Sequence, residues 1–244
     1  MMYQFCALTD PGRARDNNED SVAYEEQARL AVLADGMGGY NAGEIASGMA
    51  TAFIKSELSR WLLEVGASAP AKEVRRAMEI CVDNANTAIF NSANSNASYA
   101  GMGTTLVVGV FRDARLLLGH IGDSRCYRLR GGHLTQITKD HSLLQEQIDA
   151  GLITPEQAQG SSIKNLVTRA LGVEDIVALD VNEHAVEPND LYLMCSDGLS
   201  DMVNDEVIAR ILAEDAGLAL KAEMLIATAN DEGGRDNISV LIVA

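Results

Sequence analysis

Positive charge is scarce in this chain: 19 Lys and Arg face 35 Asp and Glu in 244 residues, a formal charge of −16. Such a surface repels nucleic acid and anionic lipid, which argues against both as partners. The four cysteines, at 6, 81, 126 and 195, are too widely spaced for a zinc or redox pair, and three of them lie in apolar runs. They read as reduced core residues. No stretch of about 18 apolar residues occurs, and Met1 to Asp10 holds no basic segment followed by an apolar one. The expectation is a cytoplasmic protein with no membrane attachment. Internal repeats, low-complexity tracts and linkers are also missing. So are a phosphate-binding Gly-rich loop ending in Lys-Ser/Thr, a Gly-x-Gly-x-x-Gly turn, a His-Glu-x-x-His helix and a Gly-x-Ser-x-Gly elbow. Ser161 to Lys164 fits Ser-x-x-Lys but lacks the companion motifs, and reads as chance.

The hydrophobic fraction of 47% and charged fraction of 22% suit one globular domain, residues 1–244, large enough to bury a substantial core. Strand-like runs rich in Val, Leu, Ile and Tyr occur at 2–8, 21–26, 29–34, 104–111, 114–121, 124–130, 177–186, 190–195 and 237–243. Two long amphipathic helices interrupt them. In the first, Asn41 and Glu44 have capping-box spacing, and Ile45, Met49, Phe53 and Leu58 with Trp61 form the expected apolar stripe. The second, about 71–93, carries Val74, Met78, Cys81, Val82, Ala85 and Ile89 on one face. Further helices are expected near 204–213 and 217–230. Strands in hairpin-like succession, with helices in separate blocks, indicate an α+β layered domain with antiparallel sheets. From about 142 to 168 the pattern loosens into an excursion, within which Thr154, Pro155 and Gln157 mark a helix start.

Three apolar strands end in acid: Leu30 to Ala34 runs into Asp35-Gly36, Leu116 leads to Gly122-Asp123, and Leu191 to Cys195 is followed by Ser196-Asp197-Gly198. Asp236 stands just before the final strand. In antiparallel sheets the end of one strand lies beside the start of another, so these acids can meet at one edge. Like charges brought together need a cation, and an all-oxygen ligand set favours Mg²⁺ or Mn²⁺ over zinc or copper. Asp-Gly is also a common turn dipeptide, so each occurrence alone marks a turn. Near the N-terminus, Arg15 precedes Asp16-Asn17-Asn18-Glu19-Asp20. The arginine can grip a phosphate bidentately, with Glu19 and Asp20 supporting metal-bound waters, or the run is a solvated polar turn.

Together, Arg15 with Glu19-Asp20, Asp35-Gly36-Met37-Gly38-Gly39, Gly103-Thr104-Thr105-Leu106, Gly122-Asp123-Ser124-Arg125, Ser196-Asp197-Gly198-Leu199 and Gly234-Arg235-Asp236-Asn237 resemble the metal-dependent protein phosphatases, the PPM or type 2C family. The motifs fall in the family's order across nearly the whole chain, and the Gly-Met-Gly-Gly version is similar to the bacterial branch. The resemblance implies a four-layer α-β-β-α sandwich, two antiparallel sheets flanked by helices, with the metal site at one end. It implies hydrolysis of phosphoserine and phosphothreonine on proteins by a metal-activated water at a dinuclear Mn²⁺ or Mg²⁺ centre, opposing a Ser/Thr kinase. In that scheme Asp35 bridges both metals, the Gly36 carbonyl completes one, Asp197 and Asp236 hold the other, and Arg15 binds the phosphoryl oxygens. Asp123 matches a weaker third metal position, Glu19, Asp20 and Asn237 form a supporting shell, and 142–168 matches the flap. Eukaryotic members carry a histidine, thought to be an acid, where this chain has Met37. Phosphoproteins are the expected partners of a monomer; the alternatives are a weakly catalytic phosphoprotein-binding relative or another metal-dependent phosphohydrolase.

Overall fold

β-Branched and leucine-rich runs pair into two sheets in the computed structural model, which describes residues 3–39, 42–66, 68–154, 157–158 and 166–244. The strands are β1 (Phe5–Asp10), β2 (Asp20–Glu25), β3 (Leu30–Met37), β4 (Gly103–Thr104), β5 (Leu106–Arg112), β6 (Arg115–Ile121), β7 (Arg125–Arg130), β8 (His133–Gln136), β9 (Asp180–Ala185), β10 (Leu191–Cys195) and β11 (Ile238–Val243). One sheet has the order β1-β11-β10-β7-β8 and the other β2-β3-β5-β6-β9, with β4 also on β3. Every pairing is antiparallel. The helices are α1 (Ala42–Val65), α2 (Ala71–Ser95), α3 (Leu143–Asp149), α4 (Asp197–Ser200), α5 (Asp205–Ala213) and α6 (Leu218–Asp231).

The layers follow from side chains alternating across each strand. In β3, Leu30 and Val32 face α1 and α2, where Ile54, Leu58, Met78, Val82 and Ile89 are buried. Ala31 and Leu33 point the other way, into an inter-sheet core with Val107, Phe111, Cys126, Tyr192, Met194 and Leu241. On the far side, Leu193, Cys195, Val240 and Ile242 meet Ile208, Ile211 and Leu225 of α5 and α6. The result is the α-β-β-α sandwich expected from the sequence. Central strands buried on both faces become unbroken apolar runs, which is why they were legible.

Two expectations need correction. The buried face of α1 comprises Ala42, Gly43, Ala46, Ser47, Ala50, Thr51, Ile54, Leu58, Ser59 and Leu62. Ile45 is exposed, and Met49, Phe53 and Trp61 flank the core. Small residues win the inner face because α1 lies against the backbone just before β2: Ser47 Oγ donates to the Glu19 carbonyl at 2.5 Å. The strand β8 was missed, since His133–Gln136 has no apolar run and pairs only at a sheet edge. Asn41, Pro155 and Ser161 to Lys164 lie outside the described residues.

Candidate active site

Both sheets deliver acid to the same place. Asp35 sits in β3 directly across from Asp20 of β2. From the other sheet, Asp197 opens α4 just past β10, and Asp236 stands just before β11, the strand paired with β10. Asp123 follows β6 in the Gly122-Asp123 turn.

Burial and mutual repulsion raise the pKa values of four of these carboxyls. Asp35 keeps part of its surface accessible, yet the packed protein leaves its carboxylate little water, and this desolvation holds its pKa well above the ordinary range. The charges of Asp20, Asp197, Asp123 and Asp236 push it the same way. Asp197 is likewise raised, first by burial and then by Asp123, Asp236, Asp201 and Asp20. Burial lifts Asp20 to about 7 against the hydrogen bond from Ser196. Asp123 rises to about 6 through burial and the neighbouring Asp140.

Backbone packing explains the glycines. A Cβ on Gly36 would lie 2.2 Å from the Gly43 carbonyl oxygen at the start of α1, and one on Gly198 would lie 2.0 Å from that of Asn237. These Asp-Gly pairs therefore mark close backbone approach instead of simple turns. Asn237 holds the N-terminal loop against the acids: its Nδ2 donates to the Pro11 and Asn17 carbonyls at 3.0 and 2.8 Å, and its Oδ1 accepts from Glu19 N–H at 2.8 Å. Arg15 Nη2 donates to Asp236 Oδ2 at 2.7 Å with its side chain half exposed. Asp236 accordingly helps raise the arginine's pKa.

A cation fits the basin on two grounds. Asp20 Oδ1 is buried without a protein hydrogen-bond partner, while its other oxygen accepts from Ser196 Oγ at 2.7 Å. The surrounding donors are carboxylates whose mutual repulsion a divalent cation offsets.

Motif residues to which the sequence reading gave no role of their own also brace the site. Asp35 N–H donates to Thr105 Oγ1 at 3.0 Å, Thr104 Oγ1 donates to the Asp35 carbonyl at 2.9 Å, and Thr105 Oγ1 lies 2.7 Å from Ser124 Oγ. The Gly-Thr-Thr-Leu motif was their signal. Arg125 grips Asp140 through Nε and Nη2 at 3.0 and 2.7 Å, a fork visible in sequence only as a motif arginine.

The family model of protein phosphatase 2C matches residues 13–226. The chain belongs to the protein phosphatase 2C family. It is 37% identical to the serine/threonine phosphatase Stp of Listeria innocua over 238 residues, 96% of this chain and 93% of that protein. It is 41% identical to PstP of Mycobacterium tuberculosis over 99% of this chain and 45% of that longer protein. The crystal structure of the Mycobacterium tuberculosis phosphatase PstP/Ppp superposes with a TM-score of 0.91 at 40% identity, covering 100% of this chain and 98% of that one. A structure of the PstP catalytic domain in complex with two manganese ions matches with a TM-score of 0.86 at 40% identity, covering 99% and 97%.

Within this type 2C phosphatase, burial disfavours the thiolate form of the two cysteines nearest the site motifs. Cys126 and Cys195 are buried, and desolvation pushes Cys126 up and Cys195 to about 12. Beside the acids runs a groove of about 920 Å³, walled by Leu144 and Ile148 of α3 on one side and Met202 to Glu206 on the other. Asp123 and Asp197 open into it.

Proposed function

We propose that this chain hydrolyses phosphoserine and phosphothreonine monoesters on proteins at a centre of two divalent cations, Mn²⁺ or Mg²⁺. The observation that carries this reading is the desolvated carboxylate cluster with Asp35 at its middle, in a member of this family. Asp35 would be shared between both cations, the Gly36 carbonyl would complete one, Asp197 and Asp236 would hold the other, and Asp123 would take a weaker third. Such cations, when bound, neutralise phosphoryl charge and lower the pKa of a water. The chain's own residues do the rest. Arg15, half exposed and held through Nη2 by Asp236, would bind phosphoryl oxygens. Asp20 offers its unpartnered oxygen toward the cluster, and Asn237 fixes Glu19 and the loop bearing Arg15.

The same reading makes residues 1–244 one catalytic domain, with 142–168 as an excursion beside the groove. It has the chain act as a monomer in the cytoplasm, opposite a Ser/Thr kinase. Among the described residues no helix is long and apolar enough to cross a membrane. The test is phosphate release from a phosphothreonine peptide by chelator-treated protein with and without Mn²⁺. Release that returns only with the cation supports the reading; no release under either condition, from folded protein, overturns it.

A further inference from the structure

Outside the acid basin, one cluster of side chains has no role in the chemistry above. His120, His141 and the exposed Asp180 bring ligand atoms within 4.8 Å of one another. The hydrogen bonds argue against a metal there. His141 Nδ1 accepts from Gly122 N–H at 3.1 Å, so this ring carries its proton on Nε2 and donates it to Asp180 Oδ2 at 3.2 Å. A neutral imidazole binding a cation through Nε2 would carry its proton on Nδ1, facing the Gly122 N–H, donor against donor. His120 stacks on the His141 ring at 4.6 Å and spends its own Nε2 on the Lys139 carbonyl at 2.7 Å.

The same contacts make a clamp. The His141 backbone N–H donates to the Gly122 carbonyl at 2.9 Å, so Gly122 is held at both its N–H and its C=O by one residue. Gly122 has φ +99°, and a Cβ there would lie 2.7 Å from Thr105 Cβ, so the turn is pressed against the threonine that braces Asp35. The next residue is Asp123. In the other direction, the His141 carbonyl accepts from Thr168 N–H at 2.8 Å, and Leu143 N–H donates to the Leu166 carbonyl at 2.9 Å. The two ends of the excursion therefore close on His141. Arg169 completes the latch by donating to Asp180 Oδ1 at 3.2 Å.

We propose that His141 is a positioning residue with two separable tasks: its Nδ1 seats the Gly122-Asp123 turn, and its Nε2, through Asp180, holds the base of the excursion. This rests on the assignment of Asp123 to a third, weaker cation. Because amides can replace each ring nitrogen separately, the tasks can be split. Asparagine supplies an oxygen where Nδ1 lies, and glutamine supplies an N–H donor where Nε2 lies.

The test is Mn²⁺ binding to chelator-stripped protein by calorimetry, with backbone amide exchange at Leu143 and Thr168. His141→Gln is expected to weaken the weakest Mn²⁺ site by about tenfold or more, as loss of an outer-shell support does. His141→Asn is expected to keep that site near its wild-type affinity and to speed exchange at both amides. Asp180→Asn, an exposed change that leaves the core intact, should copy the Asn variant. Equal Mn²⁺ affinities in the Asn and Gln variants, or an Asp180→Asn protein with wild-type exchange, would overturn the proposal. Asp123→Asn separates the underlying reading. If it keeps the weakest site, the assignment of Asp123 fails and the proposal with it. If it loses that site while His141→Gln does not, the proposal alone fails.

Discussion

Removing one charge from the cluster should trade catalysis for stability. Burial and the charges of four other aspartates oppose ionised Asp35, so Asp35→Asn is predicted to abolish turnover while raising the melting temperature of the metal-free protein; a lowered melting temperature contradicts the repulsion argument. Asp20 makes the pH dependence explicit. Its folded pKa, about 7, exceeds the ordinary 3.8, so the folded chain binds this proton more tightly than the unfolded chain. The resulting stabilisation is full below the ordinary value and is lost as pH rises towards about 7. Metal-free protein should therefore melt higher at about pH 5 than at about pH 7.5, and Asp20→Asn should flatten that difference. Arg15 behaves differently. Its pairing with Asp236 is surface-exposed, so Arg15→Ala should change stability by less than about 1 kcal/mol. Loss of a charge-assisted phosphate contact should cost about 2 to 3 kcal/mol in kcat/KM, and unchanged kinetics would move the role elsewhere.

At the scale of elements, the site depends on how closely α1 and α4 approach their neighbours. Gly36→Ala places a methyl against the Gly43 carbonyl, which neither strand nor helix can evade without shifting, so it should cost about 1 to 3 kcal/mol in denaturant unfolding. An unchanged unfolding midpoint would contradict that packing. This closeness was hidden in the sequence. Asp35-Gly36 was legible as a strand end, but its need for glycine comes from Gly43, a residue seven positions on and in another element. The same cause misled the reading of α1, where Ala42, Ala46 and Ala50 face inward because small residues permit the approach and the larger Ile45 is turned out. In α2, where no such approach is made, the expected stripe of Val74, Met78, Cys81, Val82, Ala85 and Ile89 is the buried one. The wall that α3 gives the groove carries its own prediction: Ile148→Asp should raise KM for a phosphoprotein more than for an aryl phosphate, and equal changes would remove α3 from substrate recognition.

Across the whole molecule, the sandwich collects acids that are up to about 200 residues apart in the chain onto one end of two sheets. Their order along the chain was legible, because each closes or precedes an apolar strand. Their meeting at one edge was expected from strand polarity, but the sheet each strand joins was not legible, since nothing local to Leu30–Met37 or Leu191–Cys195 specifies it. Asn237 was expected in a supporting shell from the resemblance, but its partners were not legible: it reaches Pro11 and Asn17 across the paired β1 and β11. Global charge and local site also act in concert, as a formal charge of −16 favours cation capture from solution. The most direct measurement is an Mn²⁺ titration of chelator-stripped protein that follows bound metal and phosphothreonine-peptide turnover together. The account predicts turnover that appears only as the two tighter sites fill and that is absent from Asp35→Asn at any occupancy; full turnover in metal-free wild-type protein would contradict it.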